Sequence, residues 1–349
     1  DAKNPIILAG NGVIRNKAWQ QLADFAKRLR IPVANTFMAK GVVPFKHTMA
    51  LGSAGLQAND YVSCGFNKAD VIICIGYDLV EYHPFLWHPT QDRTIIHIDQ
   101  SPAEVDAYYS VAVGVVGDIK HSLLRIMEIA SPSTANAMKS LRKAVIDDMN
   151  QHKDDNSVPM KPQKIIWDLR TAMELEDIAI SDVGAHKMWM ARMFRCEFPN
   201  TCLISNGFAS MGIAVPGAIG AKLALPDRKV VAVTGDAGFL MNSQEIETAL
   251  RYNIPFVILI WNDNGYGLIE WKQMNDFGRP SNIKFNNPDF VTYAQSFGAK
   301  GYRIENGKDL LPTLKKALAD HTVSVIDCPV DYSENLKLTA KLGEMICPV

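Results

Sequence analysis

The run Val230–Asp263, VVAVTGDAGFLMNSQEIETALRYNIPFVILIWND, constrains the fold more than any other stretch of this chain. A β-branched strand signal ends at Gly235-Asp236-Ala237-Gly238, a helix-period segment follows, and a second apolar strand ends at Asn262-Asp263. Two buried strands joined by one helical crossover read as part of a parallel sheet with helices on its faces. Asp236 and Asp263, 27 positions apart (263 minus 236), then sit just beyond two strand ends, where open α/β sheets bind ligands. Gly235, Ala237 and Gly238 let the backbone turn sharply and approach a ligand closely. Two carboxylates with backbone carbonyls and N–H groups suit a hard cation and the phosphate oxygens it shares. Gly and Asp are also default turn residues. Taken singly, Gly235-Asp236 reads as well as a turn; the pair, in a strand–helix–strand frame, points to a ligand. Asn242 with Glu245 three residues later resembles a capping box and predicts a helix start near Ser243.

The same alternation runs along the rest of the chain. Pro5–Gly10, Ile31–Asn35, Val71–Gly76 and Thr94–Asp99 read as strands, and Ala18–Leu29 as a helix with Trp19, Leu22, Phe25, Ala26 and Leu29 on one face. Ser131-Pro132-Ser133 breaks the pattern, a polar helical stretch follows, and Gln151–Asn156 is almost purely polar. Beyond Pro162 the alternation resumes, with helices over Ile165–Met173, His186–Phe194 and Gly212–Ala224 and strands over Ile178–Ser181, Cys202–Ser205 and Ser324–Asp327. The expected fold class is α/β, two doubly wound parallel-sheet domains. A Rossmann-like domain spans 1–130, a linker 131–161, and a second α/β domain 162–349. The apolar ridge Ile213–Leu225 fits a subunit interface or an internal core helix equally well.

Composition narrows the classes. With 48% hydrophobic residues in 349, a large core is available, and the formal charge of -1 gives no ground for capture of nucleic acid or an acidic membrane surface. No apolar run reaches the roughly 18 residues of a bilayer span. The start, DAKNPIILAGNGV, lacks a basic n-region and a small-residue cleavage site. It also opens without Met, directly into a strand, as a piece of a longer or processed chain would. Six cysteines (Cys64, Cys74, Cys196, Cys202, Cys328, Cys347) form no C-x-x-C pair. They read as reduced, buried thiols in a cytoplasmic protein rather than a zinc site.

A family resemblance carries the reading further. The run GDAGF…WNDNGYG resembles the thiamine-diphosphate motif, with Ala237 where Gly is commonest. Ser181–Trp189 (SDVGAHKMW), Asn206–Ala218 (NGFASMGIAVPGA) and Asp263–Trp271 (DNGYGLIEW) resemble acetolactate synthase catalytic subunits. Ile73–Trp87 (ICIGYDLVEYHPFLW), His97–Tyr108 (HIDQSPAEVDAY) and Val116–Ile119 (VGDI) are similar to the catabolic branch in particular. The resemblance runs from about residue 4 to 335 and maps the chain onto that family's middle and diphosphate-binding domains.

The resemblance implies roles. Asp236, Asp263 and the Gly265 carbonyl hold Mg2+. Gly235, Ala237 and Gly238 lie along the diphosphate, with Val183, Gly184, Ala185 and His186 from another strand end and Tyr266 and Gly267 beside the second ligand. Ala209, Ser210 and Met211 meet the aminopyrimidine, and Met211 wedges between the two rings to enforce a bent cofactor. On pattern alone Met211 could equally be core packing, and His186 a helix-start histidine satisfied by backbone. The implied reaction decarboxylates pyruvate and condenses it with a second pyruvate to 2-acetolactate, in a homodimer or tetramer. Another thiamine-diphosphate 2-keto acid decarboxylase or carboligase is the alternative. A non-enzymatic relative could have lost Asp236, Asp263 or Met211, and all are present.

Two expectations concern what the chain lacks. The family's activating glutamate lies on an N-terminal pyrimidine-binding domain, of the same or the neighbouring subunit. No such domain precedes Asp1, so the chain alone is expected to be silent. Gly10-Asn11-Gly12 resembles half of a dinucleotide fingerprint, with Arg15 where the third glycine would fall. The biosynthetic branch holds FAD there and the catabolic branch does not; the expectation is no FAD.

Overall fold

A computed structural model describes residues 2–55, 61–104, 106–134 and 138–335. It divides into two compact units. Among the described residues, one holds the chain up to Met149 together with Arg195–Asn200; the other holds Asn150–Phe194 and residues 201–335. Each is built on a six-stranded sheet whose paired strands all run parallel.

The first unit runs β1 (Pro5–Ala9), α1 (Asn11–Arg15), α2 (Trp19–Leu29), β2 (Val33–Asn35), β3 (Ala50–Ser53), α3 (Tyr61–Lys68), β4 (Val71–Ile75), β5 (Thr94–Asp99), β6 (Val111–Val116), α4 (Ile119–Ile129) and α5 (Met138–Met149). Strand order is β3-β2-β1-β4-β5-β6, the doubly wound order that reverses between β1 and β4. Leu22, Phe25, Ala26 and Leu29 of α2 bury into the core formed with Ile7, Ile73, Ile75 and Ile98.

The glycines of Gly10-Asn11-Gly12 serve close packing. Gly12 N–H donates to the Gly76 carbonyl at 2.8 Å, and a Cβ on Gly12 would lie 2.7 Å from Gly76 Cα. The Asn11 N–H, which faces the crevice where this fold holds a dinucleotide phosphate, donates instead to both oxygens of the buried Glu81 carboxylate, at 2.9 and 3.0 Å. Thr36 Oγ1 donates to the same carboxylate at 2.5 Å. Gly76 itself is left-handed at φ +59°, and a Cβ there would sit 2.3 Å from the Val13 nitrogen. Gly76→Ala combines a strained φ with a backbone clash, so a loss of about 3 kcal/mol or more is expected. Circular-dichroism melts should show an early transition; an unshifted melt would refute the close approach.

The second unit runs α6 (Pro162–Ala172), β7 (Ile178–Ser181), α7 (Ala185–Met193), β8 (Cys202–Ile204), α8 (Ala214–Ala224), β9 (Val230–Gly235), α9 (Asp236–Met241), α10 (Glu245–Arg251), β10 (Val257–Asn262), α11 (Gly267–Phe277), α12 (Phe290–Ser296), β11 (Lys300–Arg303), α13 (Leu310–Ala319) and β12 (Ser324–Pro329). Strand order is β11-β12-β10-β9-β7-β8. β7, β9, β10 and β12 are buried almost throughout, as strands covered by helices on both faces must be. The order reverses between β7 and β9, which opens a crevice beyond their carboxyl ends.

Four expectations change. The linker expected over 131–161 contains α5, which packs against α3 and β3 with Leu141, Val145 and Met149 buried; its apolar stripe needs that cover. Arg195–Asn200, expected in the second domain, joins the first unit, where the Cys196 carbonyl accepts the Phe45 N–H at 2.8 Å. Strands β3, β6 and β11 arise where none was read. The helix expected to start near Ser243 is present as α10, from Glu245, but the capping box is not: the Asn242 side chain donates to the Gly212 carbonyl at 2.8 Å instead.

The ridge Ile213–Leu225 is divided. Ala214, Val215, Ala218 and Ile219 lie in the core, whereas Ile213, Leu223 and Leu225 are exposed. Cys64, Cys74, Cys196, Cys202 and Cys328 are all buried; Cys347 lies outside the described residues. Among the described residues no helix is long and apolar enough to cross a membrane.

Candidate cofactor and metal site

The crevice of the second unit gathers the sequence-predicted residues. Val183, Gly184, Ala185 and His186 follow β7; Gly235, Asp236, Ala237 and Gly238 follow β9; Asp263, Gly265, Tyr266 and Gly267 follow β10. All of them, with Met211, line one cavity of about 110 Å3. Ala209 and Ser210 are not among its lining residues, although they precede Met211 and Ala209 is held left-handed at φ +50°. A larger cavity of about 710 Å3 shares Asp263, Gly267 and Tyr332 with it and extends past Glu270, Trp271 and Met274.

Helices α7 and α11 begin at this cavity, so their first N–H groups and positive dipole ends suit an anion there. The imidazole of His186 fills the space left by two glycines. A Cβ on Gly184 would lie 2.6 Å from its ring and one on Gly235 3.4 Å. Burial pushes His186 down to about 4, which keeps the ring neutral at ordinary pH. Its buried Nε2 has no hydrogen-bond partner among the described residues. A helix-start histidine satisfied by backbone is therefore only part of the account.

The two carboxylates face a set of oxygens. Asp236 is almost fully buried; its Oδ1 accepts the Ala237 N–H at 2.8 Å and its Oδ2 accepts Asn287 Nδ2 at 2.7 Å. That same nitrogen reaches Asn262 Oδ1 at 3.0 Å and Asn264 Oδ1 at 3.2 Å. Asn287 lies on the extended segment after α11, tied to the loop by Tyr266 N–H to the Ile283 carbonyl at 3.0 Å and Phe285 N–H to the Asn264 carbonyl at 3.2 Å. Lys284, which forms an isolated bridge with Gly265, pairs with Glu270 at 2.8 Å and lies 3.8 Å from Asp263 Oδ2. Among the described residues no three His, Cys, Asp or Glu side chains form a metal cluster. The donors here are two carboxylates supplemented by amide and backbone oxygens, a hard set that fits Mg2+ sharing phosphate oxygens and fits zinc poorly.

Electrostatics ask for the same cation. Asp263 is pushed up to about 7, first by burial and then by the Asp236 charge. Asp236 is also raised, first by burial, with the Asn287 hydrogen bond opposing. The buried Tyr332 hydroxyl is held well above its usual range by burial and then by both carboxylates. Unfolded, Asp263 titrates at its ordinary 3.8. From there to about 7 the folded state holds a proton the unfolded state has lost. Stability of the cation-free protein therefore falls as pH rises through that window, by on the order of a few kcal/mol, and is flat above it. Thermal melts in chelator from about pH 5 to about pH 8 should show this slope. Asp263→Asn should flatten it; an unchanged slope in that variant would assign the effect elsewhere.

Pattern reading missed several residues of the site: Asp182, which turns inward from the end of β7, and Asn287, Lys284 and Tyr332, which arrive from later loops. Asp182 lies within the run Ser181–Trp189 but carried no role of its own there. The polar run Asn286-Asn287-Pro288-Asp289 reads from sequence as a turn.

Sequence comparisons agree with this geometry. Residues 1–126 match the family described as thiamine pyrophosphate enzyme, central domain. Residues 182–328 match thiamine pyrophosphate enzyme, C-terminal TPP binding domain. The chain belongs to the thiamine pyrophosphate enzymes. Within them it is similar to acetolactate synthases. It is 34% identical to the acetolactate synthase of Bacillus subtilis strain 168, over 99% of this chain and 62% of that protein. It is 34% identical to the catabolic acetolactate synthase of Raoultella terrigena, over 83% of this chain and 53% of that protein. With the acetolactate synthase isozyme 3 large subunit of Escherichia coli K12 it shares 30% identity over 96% of this chain and 61% of that protein. The chain thus spans about 62% of the length of the Bacillus relative.

Proposed function

We propose that these residues form the Mg2+- and diphosphate-gripping part of a thiamine-diphosphate-dependent carboligase that converts two pyruvates to 2-acetolactate and CO2. The observation that carries the reading is the convergence of Asp236, Asp263, His186 and Met211 on one cavity. Asp236, Asp263 and the Gly265 carbonyl would hold Mg2+. Backbone around Gly184 and Gly235–Gly238, with the neutral His186, would receive the diphosphate, and Met211 would support the bent cofactor. Bound thiamine diphosphate supplies a nucleophilic carbon and an electron sink for decarboxylation. The chain's own contribution is to bind, orient and neutralise charge.

The carboxylates lining the small cavity, Asp236 and Asp263, both belong to its cation end. A carboxylate for the pyrimidine must come from a pyrimidine-binding domain of the same or a neighbouring subunit. Phe208, fully exposed on the loop that carries Met211, and the exposed Ile213 at the start of α8 offer apolar surface for such a partner or for a homodimer or tetramer. In the first unit, the Glu81 carboxylate on Asn11 N–H supports a domain without FAD; flavin absorbance in the purified protein would overturn that. Titration of thiamine diphosphate with Mg2+ into the chain tests the central reading. Saturable, Mg2+-dependent binding is expected. Products from pyruvate separate the carboligase from the decarboxylase: acetolactate against acetaldehyde.

A further inference from the structure

We infer that Asp182 is the positioning residue that sets Met211 against the diphosphate cradle, and so makes the site select the whole cofactor rather than its diphosphate alone. The inference rests on the thiamine-diphosphate reading and deepens it.

Asp182 follows β7 and is fully buried. Its Oδ1 accepts the Val183 N–H at 2.6 Å and the Gly212 N–H at 2.8 Å. Its Oδ2 accepts the Ala214 N–H at 3.1 Å and approaches Thr234 Oγ1 at 3.4 Å. Two of these donors, Gly212 and Ala214, flank the turn that carries Met211 into α8. On the other side the same carboxylate touches the cradle: Thr234 ends β9, and a Cβ on Gly238 would come 3.3 Å from Asp182 Cγ. One side chain therefore spans the end of β7, the Met211 turn and the β9–α9 junction.

The turn needs such a clamp. Gly212 at φ +86° takes the left-handed region freely, but Ala209 at φ +50° does not; for a non-glycine residue that conformation is costly and persists only when its surroundings enforce it. Asn242 holds the opposite side of Gly212 through its carbonyl at 2.8 Å. The residue type also follows. A carboxylate is acceptor-only and can take several N–H donors at once, whereas an amide at this place would turn two hydrogens toward N–H groups. A buried carboxylate is retained only where donors satisfy it, and here they come from the Met211 turn.

The test compares two ligands in the presence of Mg2+: thiamine diphosphate, which spans cradle and turn, and inorganic diphosphate, which meets the cradle alone. Calorimetric titration of the chain with each gives a selectivity ratio that general destabilisation does not move. Asp182→Asn is expected to weaken thiamine diphosphate about ten- to hundredfold, the worth of charge-assisted hydrogen bonds, and inorganic diphosphate at least about fivefold less than that, because His186 and the helix starts still meet it. Met211→Ala should show the same selective loss. Equal weakening of both ligands, or no weakening of either, would overturn the inference. Should Asp182→Asn not fold, Asn242→Ala releases the same turn from its other side and must show the selective loss; an unchanged ratio there would equally overturn it. Wild-type protein binding neither ligand would instead remove the thiamine-diphosphate reading itself.

Discussion

Asp236→Ala is expected to abolish Mg2+-dependent binding of thiamine diphosphate while leaving the cation-free protein as stable as before or more so. The first half follows from the donor set. Only two carboxylates line the small cavity, and amide and backbone oxygens cannot replace the charge of the one that opens α9. Loss of even an outer partner of a metal ligand typically costs ten- to a hundredfold in metal affinity, so at least about a hundredfold is expected here. The second half follows from like charge. Asp236 is buried beside Asp263 and raises it, so without a cation the pair opposes folding; its removal leaves Asn287 Nδ2 the oxygens of Asn262 and Asn264. Differential scanning calorimetry with and without Mg2+ and cofactor reads both halves. A variant that unfolds early in chelator, or that still shifts on adding ligand, would take Asp236 out of the metal site.

Which features were legible follows from whether a signal is local. The strands β4, β5, β9 and β10 announce themselves because burial on both faces demands unbroken apolar runs such as VIICI and VILIW. Edge positions demand less. β11 is the polar KGYR, half exposed, and β6 leaves Val113 and Val116 exposed; β3 is four residues containing a glycine. Asp236 and Asp263 were visible because each sits beside the strand that positions it. Asn287 was not. It lies 51 residues from the carboxylate it bonds, and its place depends on an irregular segment with no apolar pattern. Asn242 misled for the complementary reason: S/T/D/N before Glu is a capping signature, but the turn at Gly212, 30 residues upstream, competes for the same side chain and wins it. The helix α5 was read correctly as helical yet assigned to a linker, since a short amphipathic stripe says that it packs without saying on what.

The 349 residues alone are expected to bind thiamine diphosphate without turning over pyruvate, and to gain activity when a pyrimidine-binding domain is supplied. Binding and activation draw on different groups. The cation end has its charges in place, and the rest of the cavity is lined by backbone, His186, Tyr266, Tyr332 and apolar side chains including Met211. The two carboxylates that line the cavity, Asp236 and Asp263, both belong to the cation end, so no lining carboxylate is left for the pyrimidine ring. Proton transfer by a placed group contributes typically a hundred- to ten-thousandfold, so its absence alone reduces turnover below ordinary detection. The exposed Phe208 and Ile213, on either side of Met211 in the chain, are where such a domain would dock. Mixing the chain with a pyrimidine-binding domain from an acetolactate synthase, then assaying acetolactate, tests both claims together. Phe208→Asp should weaken the rescue while leaving cofactor binding to the chain unaltered. Turnover by the chain alone would show that an activating group lies within these residues, and rescue indifferent to Phe208→Asp would move the docking face elsewhere.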